Sequence, residues 1–241
     1  MIKPILITAL CLSVLPIACA KRPVAEAADK PKDRLSSKWW KARHEMKLKA
    51  AKGADVDLLF IGDSITHGWE NKGRELWAKY YAPRNAFNIG YSGDRTQHVL
   101  WRLENGEMKG MKPKVAVIMI GTNNTGHSMQ KAEETAAGIE AIVKSVHKNS
   151  PKTKVLLLAI FPRGQQPTHK MRVLNDKINS MIKKSADGEK VTYLDLSPSF
   201  LDDDGVLTKK IMPDGLHPKE HGYKIWAEAM EPTLKKLLGE K

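Results

Sequence analysis

Five strand-length, largely apolar runs recur along the chain: Val56–Ile61, Ala86–Ile89, Val115–Ile120, Val155–Ile160 and Val191–Leu196. They lack the strict apolar/polar alternation of a strand with one wet face, so they read as strands buried on both faces. Amphipathic stretches separate them. The helix expected over Glu133–Lys148 carries Ile139, Ile142, Val143 and Val146 on one face, at i, i+3, i+4, i+7 spacing. Further helices are expected over Trp39–Ala51, Thr96–Leu103 and Lys170–Lys184, the last burying Met171, Leu174, Ile178 and Met181. A final helix over residues 219–238 is expected to kink or break at Pro232, which has no N–H to donate. Strand and helix in repeated alternation imply an α/β fold with a parallel sheet covered on both faces. In such sheets ligands collect at the carboxyl ends of the strands.

A chain of 241 residues, 41% hydrophobic, suits one domain with a full core. Residues 1–20 read as an export signal: Met1-Ile2-Lys3, an apolar run from Pro4 to Ala18, then small residues. The run is short for a transmembrane span. Two processing routes stay open. Ala18-Cys19-Ala20 fits ordinary cleavage before Lys21, and Pro16-Ile17-Ala18-Cys19 resembles a lipobox that would leave a lipidated Cys19 as a membrane attachment. Both cysteines, Cys11 and Cys19, lie in this stretch, so the remainder holds no disulfide and no thiolate metal site. Residues 21–36 are charged and aperiodic and read as a flexible linker ahead of a domain at 37–241. The formal net charge of +13 is spread in pairs such as Lys183-Lys184 and Lys235-Lys236, without interleaved aromatics. That pattern excludes a nucleic-acid reader. It describes a solvated basic surface, or one attracted to anionic polysaccharide or an acidic membrane face.

Four distant segments together supply the parts of an acyl-transfer site: Gly62-Asp63-Ser64-Ile65-Thr66, Ser92-Gly93-Asp94, Gly121-Thr122-Asn123-Asn124 and Asp214-Gly215-Leu216-His217-Pro218. Ser64 follows the first strand and a tight turn, which stands its hydroxyl at the rim. A serine needs a base within hydrogen-bond reach. His217 is the candidate, and Asp214, three residues earlier, can orient its ring and stabilise its charged form. An oxyanion needs fixed donors. The Ser64 backbone amide, the Gly93 amide and the Asn123 side-chain amide can supply them. Asp63, His67, Trp69, Asn124 and His127 are candidates to line the pocket. Taken singly, Gly-Asp-Ser, Ser-Gly-Asp and Asn-Asn are common turns, and a tryptophan is more often core than ligand platform. Asp202-Asp203-Asp204-Gly205 lacks the alternating ligands and closing glutamate of a calcium loop and reads as a turn. No histidine has metal-type pairing, and no cofactor is expected.

The segments resemble the GDSL/SGNH hydrolase family, whose four namesake positions fall on Ser64, Gly93, Asn123 and His217. The stretch from Ser92 to Leu103 and Gly121-Thr122-Asn123-Asn124 are similar to the branch containing the catalytic subunits of brain platelet-activating-factor acetylhydrolase. The resemblance implies a flavodoxin-like three-layer α/β/α sandwich and metal-free ester hydrolysis. Many family members carry aspartate where this chain has Asn124, a departure the similar branch shares. The expected function is an exported serine esterase acting on short acyl esters, acetyl foremost, of a small molecule or a glycan. A lipid-directed esterase and a non-catalytic glycan-binding module are the alternatives. The number of subunits is left open.

Overall fold

The computed structural model describes residues 27–240. The expected export signal, both cysteines and the start of the expected linker lie outside the described residues. Five strands, β1 (Leu58–Gly62), β2 (Ala86–Gly90), β3 (Val115–Met119), β4 (Lys154–Leu158) and β5 (Val191–Leu194), form one sheet in the order β2-β1-β3-β4-β5, all neighbours parallel. Every position of β1 and β3 is buried. Side chains alternate between faces. Leu59 and Ile61 enter one core with Ile89, Ile118 and Leu157, while Leu58 and Phe60 enter a second with Val117, Leu156 and Leu158. The sheet is thus the middle of three layers, as expected.

The helices are α1 (Lys38–Ala51), α2 (Ser64–His67), α3 (Arg74–Tyr80), α4 (Thr96–Arg102), α5 (Thr122–Ser128), α6 (Ala132–Asn149), α7 (Lys170–Ile182), α8 (Ser197–Phe200) and α9 (Glu220–Leu238). Trp40 of α1, Val99 of α4, Ile139 and Ile142 of α6 and Ile178 of α7 pack in the first core. Phe200 of α8 and Trp226, Met230 and Leu234 of α9 pack in the second. The α6 stripe buries the four residues its periodicity marks.

Three expectations are corrected. The buried side of α7 is Arg172, Asn175, Ile178, Asn179 and Ile182, while Met171, Leu174 and Met181 are half-buried. Its polar residues satisfy backbone that leaves the sheet: Asn179 accepts from the Ile160 N–H at 2.8 Å and donates to the Ile160 carbonyl at 2.9 Å. Apolar periodicity cannot register burial driven by such bonds. Second, of the kink or break expected at Pro232, the break is absent: α9 continues through it as one helix. Pro232 is exposed, so water can reach the carbonyl one turn earlier that lacks an N–H partner. Third, the segment read as a linker lies against the domain from its first described residues. Ala28 is buried, its carbonyl accepts from Thr96 Oγ1 at 2.7 Å, and the Lys32 N–H donates to the Gln97 carbonyl at 3.0 Å.

The strand order reverses beside β1, between connections leading to β2 and to β3. That switch point opens a crevice at the carboxyl ends of the strands.

Candidate active site

Ser64 stands at this crevice. β1 ends at Gly62, and the Asp63 carboxylate caps the short helix by accepting the Ile65 N–H at 2.9 Å. Ser64 is the first residue of α2, and first-turn N–H groups have no partner inside their helix. The helix is pinned from the far side, where the Tyr223 hydroxyl of α9 donates to the Ile65 carbonyl at 2.7 Å. It also sits directly on β2: a Cβ on Gly90 would stand 2.4 Å from the His67 backbone nitrogen, so only glycine permits the approach.

The loop before α9 brings the other two groups. Ser64 Oγ lies 2.9 Å from His217 Nε2, and His217 Nδ1 lies 2.7 Å from Asp214 Oδ2. Asp214 Oδ1 also accepts the N–H groups of Leu216 and His217, at 3.0 and 2.8 Å. One carboxylate therefore folds its own loop and holds the ring. Burial pushes the Asp214 carboxyl up, but the bonds from His217 and Leu216 outweigh it and leave it below its ordinary value. The network assigns the ring proton to Nδ1, facing the carboxylate, which leaves Nε2 a bare acceptor toward the Ser64 hydroxyl. The His217 and Asp214 side chains are 45% and 54% exposed, so this end of the site opens to solvent. An open groove between residues 164–169 and the Pro213-Asp214-Gly215 turn adjoins it.

Gly93 lies on the loop that follows β2, and Asn123 in the first turn of α5, which follows β3. Gly93 has a φ of +77°, in the left-handed region that favours glycine. Asn123 is buried, and its Nδ2 donates to the Asp94 backbone carbonyl at 2.9 Å. A side-chain amide has two N–H donors, so one remains. The residues expected to attack, to accept the proton and to hold the oxyanion all come from the segments that follow the strands' carboxyl ends and from the loop before α9.

The pocket candidates divide. His67 is half-buried, its Nδ1 3.0 Å from Ser92 Oγ, and burial with the nearby Arg43 charge lowers its pKa to about 4, so it is neutral near pH 7. His127 is exposed at the end of α5. Asp63, Trp69 and Asn124 have no exposed surface and cannot touch a substrate in this conformation. Trp69 sits among Tyr81, Tyr223 and Trp226 with ring centroids 4.7–5.0 Å apart. Asn124 accepts from the Thr96 N–H at 3.1 Å and donates to Thr96 Oγ1 and Gln130 Oε1, which ties the start of α5 to α4. Residues close to Ser64 in sequence can project into the core, and spacing alone does not separate the two faces of a turn.

Two neighbours of the site escaped the sequence reading. Arg163 follows β4 and donates to the Thr122 carbonyl at 2.6 Å; its guanidinium occupies space that a side chain at Gly126 would fill. Burial lowers its pKa, against the opposing charges of Asp63 and Asp214. Its position at the end of a sheet strand was the available signal. Trp39, on α1, is 44% exposed with its ring 5.8 Å from that of His67. No motif marks it. Among the described residues, no cluster of His, Cys, Asp or Glu could hold a metal ion.

The model of the GDSL-like lipase/acylhydrolase family matches residues 60–225. Among similar proteins, human platelet-activating factor acetylhydrolase IB subunit alpha1 is 36% identical over 202 residues, covering 83% of this chain and 85% of that one. The rat alpha2 subunit is 37% identical over 202 residues, covering 83% and 86%. A GDSL-like lipase from Bacteroides thetaiotaomicron superposes with a TM-score of 0.63 at 21% identity, over 83% of this chain and 97% of that one. An acetylxylan esterase from Geobacillus stearothermophilus superposes with a TM-score of 0.60 at 21% identity, over 78% and 97%. These two share the fold. The family match and the curated relatives, on a chain whose α/β/α layers are those of the family, show that it belongs to the GDSL-like lipase/acylhydrolase family and is a carboxylic ester hydrolase.

Proposed function

We propose that this protein is an exported serine esterase that removes short acyl groups, acetyl foremost, from carbohydrate hydroxyls. The observation that carries the reading is the Ser64–His217–Asp214 chain of hydrogen bonds at the sheet's switch point. In this mechanism Ser64 Oγ attacks the ester carbonyl while its proton passes to His217 Nε2. Asp214 holds the ring and stabilises the imidazolium. The Ser64 and Gly93 N–H groups and the free Asn123 N–H receive the oxyanion. His217 then protonates the leaving alkoxide, and water, deprotonated by the same ring, releases acetate from the acyl-serine.

Acetyl is supported from two directions: the curated relatives are named acetylhydrolases, and one structural neighbour is an acetylxylan esterase. The carbohydrate side is supported by Trp39. Its exposed ring, beside the neutral His67 and the Ser92 hydroxyl, offers an apolar face with polar groups at its edge, which suits a pyranose ring. Export rests on the apolar run in residues 1–20, and lipidation at Cys19 would hold the enzyme at a membrane. The relatives' name favours a second reading, an acetyl ester carried on a lipid.

The test is a series of p-nitrophenyl esters from acetyl to decanoyl, with acetylated xylan beside it. We expect turnover to peak at acetyl, to extend to the polysaccharide and to vanish in Ser64→Ala. Activity retained in Ser64→Ala overturns the site, and a peak at long chains moves the assignment to lipids.

A further inference from the structure

We propose that Arg34, on the segment ahead of α1, is a positioning residue for the oxyanion loop, which makes residues 27–37 part of the catalytic apparatus. The inference rests on the reading of Ser64 as nucleophile.

The loop Ser92-Gly93-Asp94 has to present the Gly93 N–H to within hydrogen-bond reach of a developing oxyanion. A left-handed glycine allows that geometry without enforcing it. Arg34 supplies a restraint. Its Nη1 donates to the Ser92 carbonyl at 2.9 Å and to Asp94 Oδ1 at 2.9 Å, straddling Gly93. A Cβ at Gly93 would stand 3.3 Å from both terminal guanidinium nitrogens, so a side chain there would crowd Arg34.

Asp94 passes the restraint on. Its carboxylate has no exposed surface and also accepts from Trp40 Nε1 at 2.8 Å and Arg102 Nε at 2.9 Å. Its backbone carbonyl receives the Asn123 amide. Two of the three proposed oxyanion donors therefore hang on the loop that Arg34 grips. Charge reinforces the point. Asp94 and Glu107 are both fully buried, and Arg102 serves both, through Nε to Asp94 and Nη1 to Glu107. Arg34 brings a second full positive charge to this pair. Without Arg34, the one Arg102 guanidinium has to balance both buried carboxylates, and the loop relaxes to relieve the shortfall.

The segment has other fastenings. The Ala28 carbonyl and the Lys32 N–H bond to Thr96 and Gln97 of α4. Losing the guanidinium therefore loosens the loop without freeing the segment.

The test uses the full chain with p-nitrophenyl acetate. Arg34→Ala should lower kcat about tenfold and leave KM within about twofold, because donors aimed at the oxyanion act on the transition state and little on the ground state. Inhibition by phenylboronic acid, which forms a tetrahedral adduct on an active serine, should weaken in step with kcat. Millimolar guanidinium chloride should restore part of the lost rate in Arg34→Ala and none in wild type. Arg34→Lys should fall between the two, and it carries the same test if Arg34→Ala fails to fold. Lys30→Ala, which removes an exposed charge from the same segment, should behave as wild type.

An unchanged kcat in Arg34→Ala, a loss that guanidinium does not restore, or an equal loss in Lys30→Ala overturns the proposal. Ser64→Ala, run alongside, separates the two readings. Hydrolysis surviving there removes the nucleophile and the brace together, whereas Ser64-dependent hydrolysis indifferent to Arg34 removes the brace alone.

Discussion

The side-chain amide of Asn123 donates to the backbone carbonyl of Asp94 across 2.9 Å, which joins the start of α5 to the loop after β2. That bond aims the remaining N–H of the amide. Asn123→Ala should lower kcat by about 10²–10³-fold, the cost of removing one oxyanion donor, with KM nearly unchanged. Asn123→Asp should lose at least as much, because its carboxylate replaces the donor and repels both the Asp94 carbonyl and an oxyanion. Steady-state kinetics on p-nitrophenyl acetate decide it, and a loss confined to KM would contradict the assignment.

Asp63 predicts a pH effect on stability. Burial raises its pKa from 3.8 to about 7, with the nearby Asp94 charge adding to the rise, and Oδ2 has no hydrogen-bond partner among the described residues. Between those two values the native state keeps a proton that the unfolded chain has released. This group's contribution is therefore complete below the unfolded value and is lost as pH rises through about 7. Asp63→Asn keeps the acceptor for the Ile65 N–H and removes the buried charge. Its Tm relative to wild type should improve between about pH 5 and about pH 8. Thermal melts at both values check this; a relative Tm that is flat or falling would show that Asp63 stays ionised in the fold.

Trp39 should separate sugar esters from simple ones. Aromatic contacts of this kind are worth about 0.5–1.5 kcal/mol, so Trp39→Ala should raise KM for acetylated xylo-oligosaccharides by up to about tenfold. The rate on p-nitrophenyl acetate, which has no sugar ring, should hold. Equal losses on both substrates would make Trp39 a packing residue only.

Trp69 should behave as core despite lying five residues from Ser64. Its ring has no exposed surface and touches aromatics of α9 and the second core. Trp69→Ala should cost about 3–5 kcal/mol in chemical denaturation, the range for deleting a buried aromatic. KM of the folded fraction should not change. A stable variant with a raised KM would return Trp69 to the pocket.

Where residues act through local pattern, the sequence was legible. β1 and β3 carry their burial as unbroken apolar runs, and α6 carries its own as a 3.6-residue stripe. Ser64, Asp214 and His217 were visible because the turns holding them use short-range signals: a capping aspartate beside Ser64, and an aspartate folding the loop that ends at His217. Residues that act through distant partners were not legible. Arg34 lies 60 positions from Asp94, and nothing in a run of charged residues distinguishes a brace from a tether. The polar face of α7 escaped for the same reason, since its partners are carbonyls that only the folded chain brings near.

The sequence by itself determined the α/β/α layering, the parallel sheet and the set of chemical groups, because periodicity, turn chemistry and residue type are local properties. Tertiary structure alone decided the rest. It turned Asp63, Trp69 and Asn124 inward, left Trp39 in the open and drew the segment ahead of α1 onto the loop after β2. Those outcomes depend on which groups share a buried charge or fill a common space, and such sharing exists only after the chain has closed on itself.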